Sequence, residues 1–398
     1  MPLLKKDIFY FNFYERQVIP NYFGELFLGK EKIYQRSAID AKPGNQGYLL
    51  TLFPSYLNLE IYNKTGYYHK KINENKIIGN AIVLNEFESI NDFMTRHLKS
   101  KYRKNTRRFI NRLESCFNIS YRMFFGEISE SDYNDLMEIL KEMIVSRFKE
   151  IDESHFALPQ WENTKESCRT LIHEKKCSML VIYHDDKPID ITLSYHFNGI
   201  FYSGISSFDI DYSKFGLGHI SIYKELEWAL DNDYKFFDLT YGGNTYKKLW
   251  SNCDYLFENH IFGKKKSISG LLVFTVSILY VQLKKLLKKL NVHLLYLYLK
   301  NSLSPKKNQK NKSLSPKMEY SVEHFSCPID PALKLDFENI DISSKTSGIV
   351  LRPIYDFLYV NQEKYNNITL AKQNLQNNSF YILGEKKWAK VSTNNEKI

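Results

Sequence analysis

The sequence predicts an α/β protein, a mixed sheet flanked by helices, and three observations carry that prediction. Three short strand-like runs follow one another, SMLVIYH, IDITLSYHF and IFYSGIS, joined by DDKP and by Asn198-Gly199. Asn-Gly readily takes the positive φ that a tight two-residue hairpin turn demands, so these joints read as hairpins. After them come a loop with two glycines, DIDYSKFGLG, a helical pattern from about His219 to Leu230, and the strand KFFDLTY. Ahead of them, SDYNDLMEILKEMIVSRFKE sets Leu136, Ile139, Leu140, Met143, Ile144 and Phe148 at three-to-four spacing behind a Ser/Asp start, the signature of an amphipathic helix. Helix, meander, glycine loop, helix and strand make a layered α/β unit.

The elements on either side follow in chain order. Residues 1–120 mix short apolar runs (Tyr48 to Phe53, Leu57 to Tyr62, Ile77 to Leu84) with turn residues and close on LKSKYRKNTRRFINRLES. That stretch predicts a basic helix whose apolar stripe is Leu98, Tyr102, Phe109 and Leu113. Its cations suit either a solvated face or a contact with phosphates, and both readings stay open. A second helical pattern spans Thr164 to Lys175. Beyond Gly263, the uncharged run Ser267 to Leu283 leads into LKKLLKKLNVHLLYLYLK. There Leu283, Leu286, Leu287, Leu290, Leu294 and Leu297 share one helical side and Lys284, Lys285, Lys288 and Lys289 mostly the other. A run of this length is short for a spanning helix, and a leucine face with a lysine face suits a helix lying on an anionic leaflet. Packing on the core or in a dimer is the other reading. Residues 301–318, holding SLSPK twice, read as a flexible linker, and 319–398 as a small appended domain with no evident chemistry.

Composition narrows the function. The chain has 398 residues, enough for two or three structural units, and a formal charge of +10. Residues 259–318 hold thirteen Lys and no acid; outside them 42 basic residues meet 45 acidic ones, so no general polyanion-binding surface is implied. Five scattered cysteines without CxxC spacing, and a start that lacks an apolar signal stretch, predict a cytoplasmic protein. No HExxH or HxxxH pairing occurs, and no metal is expected.

The chemistry concentrates in Ser207 to Trp250. Gly216 and Gly218, at the junction of loop and helix, permit close backbone approach, so that consecutive N–H groups can face an anion, although such pairs also merely shape turns. With its surroundings this region resembles the GNAT superfamily, especially the branch that includes FemAB-like proteins and acetyltransferases similar to cellulose-biosynthesis accessory proteins. The resemblance rests on the glycine loop, the basic helix before it, and Phe237, Asp238, Gly242, Gly243, Tyr246 and Lys247 after it, and covers about residues 95–262. It implies twin GNAT-like domains, with residues 1–120 a divergent first half and 121–263 the acyltransferase domain, followed by basic amphipathic helices (264–300) and the small C-terminal region.

It also implies a cofactor and a site. Acetyl-CoA or another acyl-CoA would lie on Ser213, Lys214, Phe215, Gly216, Leu217, Gly218 and His219. Ser213 departs from the family's Gln or Arg, and Lys214 or His219 would supply the missing charge. Amine attack on a thioester needs positioning and proton transfer. Asp238 would accept the proton, Tyr246 would protonate the thiolate, and Lys247 would support them, with Asp190 and Tyr202 lining the acceptor side. Each also has a structural reading: a cap or ion pair for Asp238, packing for Tyr246 and Tyr202, packing or solvent exposure for Asp190. The acceptor suggested is a small-molecule or lipid-linked amine, such as a sugar nucleotide or lipid-linked saccharide of envelope or exopolysaccharide synthesis, met at the inner face of a membrane. Nucleic acid enters only through the alternative, a FemAB-type aminoacyltransferase using aminoacyl-tRNA on a peptidoglycan precursor, whose long heptad arm this sequence lacks. A third reading is a catalytically silent GNAT fold acting as a membrane-associated binding protein.

Overall fold

A computed structural model describes residues 4–37, 46–150, 155, 157–242, 245–290, 320–326, 337–340, 351–373, 379–385 and 387–393. Gly243, the leucines and lysine of 291–300, and the linker 301–318 lie outside the described residues. In chain order the elements are β1 (Leu4–Ile8), β2 (Phe23–Leu28), β3 (Glu31–Gln35), β4 (Gly47–Pro54), β5 (Leu57–Ile61), β6 (Tyr67–Val83), α1 (Ile90–Arg96), α2 (Ser100–Cys116) and β7 (Ile119–Phe124). Then follow α3 (Glu130–Glu150), α4 (Trp161–His173), β8 (Cys177–His184), β9 (Lys187–Phe197), β10 (Ile200–Phe208), a 3₁₀ turn (Ile210–Phe215), α5 (Leu217–Asp231), β11 (Phe236–Tyr241), α6 (Thr245–Trp250), β12 (Cys253–Lys264) and α7 (Ile268–Lys289). The C-terminal part contributes β13 (Tyr320–Phe325), β14 (Phe337–Ile340), α8 (Leu351–Asn361), β15 (Thr369–Gln373), β16 (Ser379–Leu383) and β17 (Trp388–Thr393).

The predicted α/β architecture of mixed sheet and flanking helices is what forms. Nine strands make one sheet in the order β1-β4-β12-β6-β11-β10-β9-β8-β7. Asn198 and Gly199, at φ 39° and 84°, close the β9–β10 hairpin as their sequence demands. The two halves of the sheet are joined in its middle, because β12 runs antiparallel between β4 and β6 while β6 pairs with β11. Strands from residues 1–120 and from the later half therefore share one hydrogen-bonded surface. One face packs on α3, α4 and the aromatic side chains of Phe9, Phe13, Tyr14 and Phe53; the other packs on α1, α5 and α6 through Phe93, Leu226, Phe237 and Trp250.

Two differences from expectation have physical causes. The run Ile77 to Leu84 is the end of a much longer strand, β6, whose first half is polar on its outer side and so carries no apolar signal. The uncharged and lysine-rich stretches after Gly263 form one continuous helix, α7, because no Gly or Pro breaks it between Leu271 and Lys289. Its Gly270, Val273, Ser277 and Val281 are buried, and its contacts run to β12, β4 and β6. On its outer side Leu271, Leu272, Val276, Leu279, Leu283, Leu286 and Leu287 are exposed.

Candidate functional site

The glycine loop folds as a launching point for α5. Asp209 accepts a hydrogen bond from the Asp211 N–H and starts the 3₁₀ turn, which ends at Gly216 in the left-handed conformation (φ 67°, ψ 40°). That backbone suits glycine, and space demands it too, since an added Cβ would stand 2.9 Å from the Phe109 ring of α2. The next residues, Leu217 and Gly218, open α5, and no side chain caps that helix. The first amides of a helix lack intrahelical partners and carry the positive end of its dipole, so this terminus can hold an anion.

The side chains around the loop divide. His219 lies under the Phe109 ring (5.6 Å between centroids) and accepts a hydrogen bond from Trp250 Nε1 at 3.1 Å; burial lowers its pKa. Tyr246 of α6 stands at ordinary contact distance, 3.8 Å, from the position a Gly218 Cβ would take. Phe215 and Leu217 are buried in the core. Lys214 turns to Asp356 of α8 at 3.6 Å, and the Ser213 carbonyl accepts the Gly216 N–H at 3.4 Å. Helix α8 itself covers the 3₁₀ turn: Tyr355 packs on Tyr212, Tyr359 on Phe215, and Arg112 of the basic helix α2 donates to the carbonyls of Tyr359 and Val360. Nothing in the spacing of residues 351–361 announced that contact.

Next to the loop the sheet opens. Strands β10 and β11 run parallel and pair only over Ile200–Tyr202 and Phe236–Asp238, after which β10 continues to Phe208 and β11 turns aside. The cause is local: Thr240 is held at φ 69°, with its N–H donated to Asp238 Oδ1 at 2.7 Å. A β-branched residue in that conformation is strained, and such strain collects at functional places. Lys247 of α6 reaches into the parting, donating to the Leu239 carbonyl at 2.8 Å and to Thr240 Oγ1 at 3.3 Å. Burial lowers its pKa to about 8, against the pull of Asp238 and Glu225.

Asp238 is buried and occupied. Tyr56 donates to its Oδ2 at 2.7 Å, and the Tyr255 hydroxyl lies 2.7 and 2.9 Å from its two oxygens. Since Tyr56 spends its one proton there, the Tyr14 hydroxyl, 2.7 Å from it, is the donor in that bond. Burial raises the Asp238 pKa to about 6, with the hydrogen bonds and Lys247 opposing. Tyr202, one β10 position across from Asp238, stacks on Tyr14 at 4.2 Å and meets Tyr10 edge-on at 4.7 Å.

Asp190 stands on the other face of the sheet, under α5. Its Oδ1 accepts from Ser221 at 2.7 Å and Thr192 at 3.4 Å, and burial raises its pKa to about 7. Beside it on α5, Glu225 accepts from Ser194; burial pushes it to about 8. Sequence reasoning passed over Glu225, although the signal was readable: it falls on the stripe of Ser221, Ile222, Leu226 and Ala229, where an acid must be buried. Tyr56 and Tyr255, which hold Asp238, had no such signal.

The family model described as an acetyltransferase (GNAT) domain matches residues 100–248, from α2 through α6. No curated protein matches the chain. Among solved structures the chain is similar to a conserved protein of unknown function from Bacteroides thetaiotaomicron (11% identity, TM-score 0.37, covering 55% of this chain and 70% of that one). It is also similar to L-PGS from Bacillus licheniformis (11%, TM-score 0.37, 58% and 72%) and to FemX (8%, TM-score 0.36, 53% and 72%). Loop, parted strands and family model together give residues 100–248 of this chain a GNAT-superfamily acetyltransferase fold.

Proposed function

We propose that the protein is an acyl-CoA-dependent N-acyltransferase. The observation that carries this reading is the uncapped start of α5 at Gly216 and Gly218, lying beside strands that part at Asp238 with Tyr246 and Lys247 between the two features. The pyrophosphate of acetyl-CoA or another acyl-CoA would rest on the Leu217 and Gly218 amides, and the thioester would enter the parting. In that arrangement the attacking amine gives up its proton to solvent at the parting, and Tyr246 delivers one to the departing thiolate. Lys247 orients the carbonyl or the amine, and Asp238 acts through Lys247 and the tyrosines, since its oxygens already hold four contacts. Lys214, engaged by Asp356, is no longer the natural source of phosphate-binding charge, which leaves the helix terminus.

The acceptor we favour is an amino group on a sugar or a lipid-linked envelope precursor, with residues 1–120 as a divergent first GNAT-like half. The exposed leucine side of α7 supports work at a membrane surface, with Lys284, Lys285 and Lys289 of the same helix beside it. Co-sedimentation with vesicles should therefore require anionic lipid and weaken as salt shortens the screening length below about 8 Å; indifference to both would make α7 a packing helix.

Calorimetric titration with acetyl-CoA, longer acyl-CoAs and an aminoacyl-tRNA tests the core of the reading. Gly218→Asp is the informative variant, because its Cβ meets only ordinary contact with Tyr246 while its charge would repel the pyrophosphate. Acyl-CoA binding should vanish at an unchanged melting temperature. Gly216→Asp should lose stability as well, through φ 67° and the Phe109 ring. If Gly218→Asp binds acyl-CoA like the parent, the loop is a turn and the reading fails; tRNA binding alone would favour the aminoacyltransferase.

A further inference from the structure

A cleft of about 440 Å³ opens between residues 15–16 and the start of α4, and none of its lining residues comes from the parted strands β10 and β11. That volume is within the range that holds small ligands. Residues Phe11–Glu15 form a single π-helical turn, a rare geometry that collects at functional places. The turn sends Phe13 and Tyr14 into the core and ends on Glu15, which is only 8% exposed.

A buried carboxylate normally gathers donors. Glu15, among the described residues, has no hydrogen bond and no ion pair, and its oxygens face the cleft rather than the sealed interior. Arg16, whose charge acts on it, is turned to Gln160 Oε1 at 3.5 Å. Burial raises the Glu15 pKa to about 7, with Arg16 opposing, so the charged form stays within reach at neutral pH. That form lacks a counter-ion.

The opposite wall presents acceptors. Thr164 spends its hydroxyl proton on the Gln160 carbonyl and Ser167 on the Thr164 carbonyl, both at 3.3 Å, so toward a ligand their oxygens can only accept. Glu166 adds a second carboxylate without an ion pair among the described residues, so two acids face the single cation Arg16. No aromatic ring lines the cleft, which removes the cage that selects a quaternary ammonium. Among the described residues no third His, Cys, Asp or Glu joins these acids to hold a metal ion. What fits is a cation that donates hydrogen bonds. We propose that this cleft is a binding site for an aliphatic primary amine, held as its ammonium ion with Glu15 as counter-ion. The nitrogen held here is not the one acylated: an attacking amine must be neutral at the β10–β11 parting, whereas the Glu15 charge bears on Cys177 and Tyr195 of β8 and β9. The inference goes beyond the transfer reaction, and binding is read without acyl-CoA, so either reading can fail while the other stands.

The test is calorimetric titration of the full-length protein with ethanolamine, tetramethylammonium and ethylene glycol at about 0.15 M salt, where exposed charges are screened beyond about 8 Å. Tetramethylammonium keeps the charge without N–H donors, and ethylene glycol keeps donors without the charge. Ethanolamine should bind with Kd on the order of 1–10 mM and the other two at least about tenfold more weakly. Glu15→Gln keeps the shape, removes the charge and should weaken ethanolamine binding about tenfold or more at an unchanged melting temperature. Two exposed positions give a check that does not disturb the interior: Glu166→Gln should weaken binding about twofold or more, and Arg16→Met should tighten it by a similar factor. The proposal is overturned by absence of ethanolamine binding at about 50 mM or by equal binding of tetramethylammonium. Parent-like binding in Glu15→Gln overturns it too, as does parent-like binding in both exposed variants should Glu15→Gln fail to fold.

Discussion

The two faces of the sheet at β9–β11 hold buried acids in opposite company. On one face Asp238 is held by two phenols, a backbone amide and the nearby Lys247, and its pKa settles at about 6. On the other, the hydrogen-bond donors to Asp190 and Glu225 are serine and threonine hydroxyls, and burial carries them to about 7 and 8 even against the pull of Arg147 and Lys247. Removal from water is the largest cause in all three; what differs is how many donors favour the charged form. A carboxylate with strong donors stays a charge near neutral pH, and one with weak donors becomes a neutral acid. The first kind can keep a nearby lysine charged, while the second serves as a packed, protonated hydrogen-bond partner.

The largest expected effect lies on the first face. Asp238→Asn would turn an amide N–H toward the Tyr56 and Tyr255 hydroxyls, leaving donors opposed, and should cost about 1–3 kcal/mol of stability. With the carboxylate's pull on the Lys247 charge gone, turnover should also fall by about two orders of magnitude while acyl-CoA binding persists. Full turnover together with an unshifted melting curve would erase the distinction between the faces.

Glu225→Gln sharpens the same contrast on the other face. The Glu225 carboxyl titrates at about 8 in the folded protein against an ordinary 4.5. Between those values the native state holds a proton that the unfolded chain has released, so stability falls as pH rises through the window, and the loss is complete above 8. The neutral variant should therefore melt about 2–4 °C higher than the parent at pH 8.5, with the gain vanishing near pH 5. A pH-independent difference would mean that Glu225 is ionised in the native state.

The smallest effect belongs to Lys214→Ala. This lysine is partly exposed and paired with Asp356 at 3.6 Å, a contact worth about 0–1 kcal/mol, and acyl-CoA affinity should change less than about twofold. A tenfold loss in calorimetry would return Lys214 to the phosphate cradle.

Much of this layout was legible from residues alone. The Asn198-Gly199 turn, the amphipathic α3 and the glycine-started α5 follow from local chemistry: positive φ, three-to-four spacing and an uncapped helix start. So does the approach of Tyr246 to Gly218, because a short return after β11 leaves α6 little choice. What stayed hidden depends on distant pairing. Tyr56 is 182 residues from the Asp238 it holds, and no periodicity relates them. The cover of α8 over the loop, through Asp356, Tyr355 and Tyr359, likewise joins segments separated by more than a hundred residues of intervening chain.

The position of β12 between β4 and β6 sets an order on the birth of the protein. As the chain leaves the ribosome, β4 and β6 are made first, yet neither can bond to the other, because the slot between them belongs to residues 253–264. Through the synthesis of some 170 intervening residues those strands keep open edges, the kind that recruit neighbouring chains. The seventeen-residue β6 bears Lys70 and Lys71 in its first half, and lysines on an open edge disfavour pairing with a second copy until β12 arrives.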